Sequence, residues 1–159
     1  MMISKKLIYL LVGLGLLAAS CTPQVNREEA LQSLRQTDRA FSDLSVKKGV
    51  YEAFTTYAHD SVIKLQDGAL PVIGKQNLEN VFAKQKTQNY TLEWRCHRAD
   101  VAASGELGYT FGVWKLTAVS ATGEDKAFYG NYMTVWKKDA SGAWKFAVDG
   151  GNSTPEQAL

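Results

Sequence analysis

From Tyr90 onward the chain alternates. Tyr90, Leu92, Trp94 and Cys96 are separated by Thr91, Glu93 and Arg95, and Tyr109, Phe111 and Val113 by Thr110 and Gly112. Two further strand-like runs follow, Phe128 to Trp136 and Trp144 to Val148. A period of two is that of a pleated strand. Turn signals at Ser104-Gly105-Glu106, Thr122-Gly123-Glu124-Asp125 and Ser141-Gly142 divide the runs. Consecutive strands joined by short turns pair as an antiparallel meander. The second half of the chain is therefore committed to a sheet, and the first half must cover it.

The first half is helical. Asn26 is a good N-cap, and Glu28 and Glu29 suit the positive end of a helix. Ala30, Leu31, Leu34, Ala40, Phe41 and Leu44 then mark one helical face, interrupted by Thr37 and Asp38. Gly49, after Lys47 and Lys48, is the natural stop. A second helix is expected from Val50 to Tyr57, with Phe54 and Tyr57 on one side. His59-Asp60-Ser61 reads as a turn, Val62 to Leu65 as a short strand, and Gln66-Asp67-Gly68 as another turn. Pro71 to Gly74 leads into a third helix, roughly 75–85, burying Leu78, Val81 and Phe82. Helices first and a meander last make an α+β fold, with three N-terminal helices packed on one face of an antiparallel sheet.

The last two strands bear on assembly. Strict alternation sets Trp144, Phe146 and Val148 on one face and Lys145, Ala147 and Asp149 on the other. Tyr132, Thr134 and Trp136 share one face of the preceding strand, with Tyr129, Met133 and Val135 opposite. Both faces carry large apolar groups, whereas a half-solvated sheet has one polar face. The expectation is that a tail or, in a homodimer, a second copy covers the outer face.

The N-terminus carries an address. Lys5 and Lys6 precede an apolar run from Leu7 to Ala19, closed by Ser20-Cys21. This order is that of a secretory signal, and the run is shorter than the roughly 20 residues of a bilayer-spanning helix. Ala18-Ala19-Ser20-Cys21 resembles a bacterial lipobox, although Leu17 sits one place earlier than the usual leucine. The resulting division is a lipoprotein signal peptide at 1–20, a tether at 21–26, a domain at 27–154 and a tail at 155–159. Cys21 would be the lipidated first residue of the mature protein, and the lipid its link to the membrane. Asp is absent after Cys21, as is a nearby acidic cluster, which points to the outer membrane, facing the periplasm. The alternative is a plain secretory signal, with a Cys21–Cys96 bridge conceivable; otherwise Cys96 is a buried free thiol.

Charge excludes one class of partner. The chain has 18 Lys and Arg against 16 Asp and Glu, and losing Lys5 and Lys6 with the leader leaves a net of zero. Nucleic-acid binding draws on a basic excess or stripe, so none is expected. His59 and His97 are too far apart, and too poor in clustered carboxylates, to suggest a metal site. No phosphate loop or nucleophile elbow is present, and no cofactor is expected.

Several segments together are familiar: Tyr57-Ala58-His59-Asp60, the Pro71-to-Gly74 loop, Ser104 to Gly112, Gly130 to Trp136, Gly142 to Lys145, and Asp149-Gly150-Gly151. Over about 125 residues, 28–152, the chain resembles the SnoaL-like, ketosteroid isomerase-like branch of the nuclear transport factor 2-like superfamily. The resemblance implies a cone-shaped, cystatin-like fold whose curved sheet wraps a helix round a pocket. The pocket residues it implies are Phe41, Tyr57, Leu65, Trp94, Tyr109, Phe111, Val113, Tyr132, Thr134, Trp136 and Asp149. The family holds isomerases, dehydratases, cyclases and members without known activity.

Isomerase chemistry needs a carboxylate base and an oxyanion hole made of a tyrosine and a protonated aspartic acid. By spacing, these positions fall on Phe41 (the tyrosine), Leu65 (the base) and Thr134 (the acid), so ketosteroid isomerase activity is not expected. Two candidate bases remain. His59 lies beside Asp60, although adjacent residues at a helix end more often turn the chain. Asp149 would look into the pocket, as a base, a ligand anchor or a structural carboxylate, unless a bulge at Gly150-Gly151 turns it outward. His97 reads as a solvated strand residue beside Arg95. Three functions follow: a pocket that binds a small, largely apolar ligand without catalysis; an isomerase-, dehydratase- or cyclase-type enzyme using Asp149 or His59 as general base; and an interaction module whose pocket is filled.

Overall fold

The structure, a computed structural model, describes residues 26–84, 89–119 and 123–155. The leader, Cys21 and most of the tether and tail lie outside them. Three helices, α1 (Arg27–Lys48), α2 (Val50–Tyr57) and α3 (Lys75–Ala83), pack on one sheet. Its strands are β1 (Ala58–Lys64), β2 (Val72–Ile73), β3 (Tyr90–Val101), β4 (Leu107–Val119), β5 (Asp125–Lys138) and β6 (Trp144–Thr154). The strand order is β2-β1-β6-β5-β4-β3. The meander runs from β3 to β6, and β1 adds to it parallel to β6. The expected turn at His59-Asp60-Ser61 is instead the start of β1, which the parallel pairing with β6 draws into the sheet.

Helix α1 begins and ends as its sequence dictates. The Asn26 side chain accepts the Glu29 N–H at 3.2 Å, and Gly49, at φ 87°, donates its N–H to the Ser45 carbonyl. The buried stripe is Ala30, Leu34, Asp38, Phe41, Ser42 and Ser45. Two of its polar members fasten the helix to β3, the edge strand. Ser42 Oγ donates to the Trp94 carbonyl at 3.0 Å and accepts the Trp94 N–H at 2.9 Å, while Ser45 Oγ donates to the Leu92 carbonyl at 2.8 Å. These bonds occupy backbone groups that an edge strand would otherwise offer to another chain. Arg27 Nε donates to the Val101 carbonyl at 3.0 Å, so α1 runs antiparallel to β3 along its length.

Two bulges set which residues face the helices. In β3, His97 is an extra residue between Cys96, opposite Gly112, and Arg98, opposite Phe111. In β6, Ala147 is extra: Phe146 pairs with Trp136 and Val148 with Val135. An extra residue changes the side on which the following side chains emerge. Trp144, Phe146 and Asp149 therefore all point inward, at 4%, 0% and 7% exposure. The expectation that Trp144 and Phe146 lie opposite Asp149 on the outer face is thus corrected. Strict alternation fails at Ala147, two residues before Asp149.

The core is aromatic. Phe41 lies at its centre, with ring centroids of Trp94, Phe54, Tyr57, Phe146 and Trp136 between 4.5 and 6.0 Å away. Edge-on and offset contacts of this kind add to the apolar area they bury.

Candidate ligand cavity

The inner face of the sheet has two ends. At the narrow end, Asp38 is 1% exposed, on the stripe of α1. Its Oδ1 accepts Thr110 Oγ1–H at 2.7 Å and its Oδ2 accepts the Tyr132 phenol at 2.9 Å. Trp136 Nε1–H donates to Thr110 Oγ1 at 2.9 Å, which completes a four-residue network. Burial pushes the Asp38 carboxyl up from 3.8 to about 6; the bonds from Thr110 and Tyr132 pull it down, Asp149 raises it and Arg35 lowers it. Burial also raises Tyr132, helped by the neighbouring Asp38 carboxylate.

At the wide end the face is open. A cavity of about 290 Å³ is walled by the rings of Phe54, Phe82, Trp94, Trp114 and Tyr132, with Leu92 and Leu116. Leu65, Gln66, Asp67, Gly150, Gly151, Asn152 and Ser153 also line it. Glycine makes part of this wall possible. A Cβ on Gly130 would lie 2.3 Å from the Trp114 ring and 2.1 Å from the Asn152 carbonyl oxygen. The Trp114 indole therefore lies flat against the strand, donating Nε1–H to the Asn131 carbonyl at 3.1 Å.

One ion pair is let into this wall. Lys64 Nζ lies 2.9 Å from Asp149 Oδ1, and Asp149 Oδ2 accepts Thr134 Oγ1–H at 2.6 Å. Lys64 also donates to the Leu65 carbonyl at 3.1 Å and sits 5.9 Å from the Phe54 ring centre.

Of the residues expected in the pocket, Leu65, Trp94, Tyr132 and Asp149 line the cavity. Phe41, Thr134 and Trp136 are buried beneath it, and Tyr57 packs on Phe41. Tyr109, Phe111 and Val113 are a correction. Gly108 and Gly112 face Leu34 and Tyr132, and Thr110 faces Asp38, so the three residues between them emerge on the outer face. There they pair with Val135, Met133 and Asn131.

His59 lies away from the cavity, in a shallow depression with Asp60, Lys137, Lys138, Asp139, Ala140 and Ser141. Its Nδ1 is engaged by Ser61. His97 is not freely solvated: as the bulge residue it is half-buried, with Nε2 enclosed and unpaired. Cys96 is a free thiol, half-buried, donating to the Arg98 carbonyl, and burial raises it. No cluster of three or more metal-binding side chains occurs among the described residues, nor any helix long and apolar enough to cross a membrane.

Sequence reasoning missed Asp38 and Lys64. Asp38 sits four residues after Leu34 and three before Phe41, and an acid at that spacing on an apolar stripe is a signal of a paired buried carboxylate. Asp38 and Tyr132 are the chemical types of an oxyanion hole. They point at one another, however, so the phenol proton is already given to the carboxylate rather than offered to a ligand.

No family model and no curated protein matches the chain. Solved structures do. A ketosteroid isomerase-like protein from Erwinia carotovora atroseptica is similar over 80% of this chain and 98% of its own, at 16% identity and a TM-score of 0.68. A nuclear transport factor 2-like superfamily protein from Salmonella enterica covers 83% and 96%, at 12% identity and a TM-score of 0.63. This chain has the nuclear transport factor 2-like fold. A nuclear transport factor 2-like protein from Novosphingobium aromaticivorans, described as having a cystatin-like fold, covers 80% and 83% at 10% identity and a TM-score of 0.64. At such identities the likeness carries the fold and leaves the chemistry to the residues.

Proposed function

We propose that this nuclear transport factor 2-like domain binds a small, largely apolar molecule in the wide end of its cone, without transforming it. The observation that carries this reading is the cavity of about 290 Å³, walled by five aromatic rings and holding one ion pair. Apolar walls with few polar groups are the usual make-up of small-molecule sites. Both carboxylate oxygens of Asp149 are engaged, by Lys64 and Thr134, which suits an anchor better than a base. His59 lies outside the cavity, so an enzyme reading would rest on Asp149 alone. The open cavity speaks against a filled-pocket interaction module. Titrating an environment-sensitive naphthalene dye into the full chain should give saturable binding, displaced by apolar competitors. Absence of saturation overturns the reading.

The setting proposed for this activity is a lipoprotein of the bacterial outer membrane, facing the periplasm and attached through Cys21. The support is the order of residues 1–21. Intact mass of the membrane fraction should show an acylated chain beginning at Cys21; an unacylated chain beginning elsewhere removes the anchor.

A homodimer is also proposed, on residues other than those first expected. Tyr109, Phe111, Val113, Met133, Val135 and Val148 share the outer face, with Met133 53% exposed. A contiguous apolar face of this kind marks a contact surface. Met133→Lys should leave stability within about 0.5 kcal/mol and convert a dimer to a monomer in sedimentation. A wild-type monomer at micromolar concentration ends the proposal.

A further inference from the structure

The ion pair in the cavity wall has a consequence for what can enter. Lys64 carries three N–H donors. Asp149 takes one and the Leu65 carbonyl another, which leaves one without a protein acceptor among the described residues. The lysine side chain is 20% exposed and lines the cavity, between the Phe54 ring and Asp149. Asp149, at 7% exposure, has its charge matched by Lys64 and its second oxygen satisfied by Thr134. A second carboxylate, Asp38, stands behind Tyr132 on the same face, and Asp67 lies at the mouth.

We infer that the cavity selects uncharged ligands bearing a hydrogen-bond acceptor, such as a carbonyl or ether oxygen on a flat apolar body, and that Lys64 reads that acceptor. The inference rests on the ligand-binding reading above. An anionic ligand would find the third N–H, but the single charge of Lys64 is already matched by Asp149. It would therefore bring an unmatched negative charge into a confined apolar space, in the field of Asp38 and Asp67. A cationic ligand would meet the Lys64 ammonium in a confined apolar space. A pure hydrocarbon would fill the cavity but enclose the third N–H without a partner. An uncharged acceptor satisfies that donor, leaves the Lys64–Asp149 pair intact and adds no charge to the cavity. Discrimination thus comes as much from penalties on the wrong charge as from the bond to the right group.

Four probes of one shape test this: 2-acetylnaphthalene, 2-ethylnaphthalene, 2-naphthoate and 2-naphthylmethylammonium, titrated calorimetrically onto the full chain. The acetyl compound should bind about tenfold more tightly than the ethyl compound, in line with one hydrogen bond to a charged donor, and both ions should bind more weakly still. In Lys64→Met/Asp149→Leu, which removes both charges and puts no amide donor in their place, the acetyl and ethyl compounds should become equal. Lys64→Arg should retain the preference. Either ion binding as tightly as the acetyl compound overturns the inference, as does an acetyl preference that survives in the double variant. The wild-type ranking decides the question even if the double variant does not fold. Failure of all four probes to bind overturns the cavity-binding reading and this inference with it; binding without preference overturns the inference alone.

Discussion

The two ends of the cone are built from the same strands and the same residue types, yet one is closed and the other open. At the narrow end, Phe41, Trp136 and Phe146 interdigitate, and Asp38, Thr110, Tyr132 and Trp136 satisfy one another. At the wide end, Trp94, Trp114, Phe54 and Phe82 stand round a space that no side chain of the described residues fills. The difference lies in what crosses from the helices. Phe41 of α1 packs on Phe54 and Trp94 from the core side, while the cavity side of those rings meets only the open space that Phe82 of α3 also borders. Rings that meet rings make a core, and rings that meet a void make a binding wall. Each end also holds one buried carboxylate, treated differently: Asp38 is held by hydroxyl donors alone, whereas Asp149 is given a lysine.

The largest effect that separates the ends is packing. Phe41→Ala should cost about 3–5 kcal/mol, because it removes the ring on which five others rest and the void cannot close. A truncation at the open end, Leu92→Ala, should cost clearly less, since it removes a smaller group and that side chain already borders empty space. Denaturant unfolding midpoints measure both. Equal costs would mean that the wide end is packed in solution.

The two carboxylates give the next contrast. Asp38 ionises at about 6 in the folded chain against an ordinary 3.8, so the folded state binds the proton more tightly than the unfolded one. Its contribution to stability therefore rises as pH falls from about 6 to about 4 and is level outside that window. A shift of about two units corresponds to roughly 3 kcal/mol across the window. Asp38→Asn should abolish this component, leaving a wild-type minus variant difference that changes between pH 4 and 6.5. At neutral pH the variant gains from losing the buried charge and loses about 1–3 kcal/mol from the donor that the amide cannot accept. A difference that stays flat with pH would place the Asp38 carboxyl in the ordinary range.

Much of this architecture can be read in the sequence, because it follows from local periodicity. The Asn26 cap, the Gly49 stop, helix α2 and the four-stranded meander all obey patterns a few residues long. What escapes is non-local. The bulge at Ala147 has no residue signature, yet it decides that Trp144, Phe146 and Asp149 share a face. Tyr109, Phe111 and Val113 look like pocket residues by composition, and only the glycines at 108 and 112 betray that the opposite face is the inner one. Lys64 was invisible because its partner is 85 positions away and joined through the parallel β1–β6 pairing. Asp38 is legible in principle, as an acid on a buried stripe, although by periodicity alone it reads as an interruption of the apolar face.

The smallest change in stability expected at either end is also the most direct test of what the open end is for. Leu116 stands on β4 opposite Leu92, half-buried at the cavity wall. Leu116→Trp would extend an indole into the void and make the wide end resemble the narrow one. The space is already empty, so the new ring displaces no neighbour, and its added apolar contact should offset any local strain to within about 1 kcal/mol. The melting temperature should therefore hardly move. Binding of the naphthalene dye should fall at least about tenfold, because a group of similar shape now occupies its place. A variant that melts like the wild type and binds like it would show that the dye sits elsewhere. A variant that binds weakly but has lost several kcal/mol of stability would show that the wide end had no free space, which would erase the contrast between the two ends.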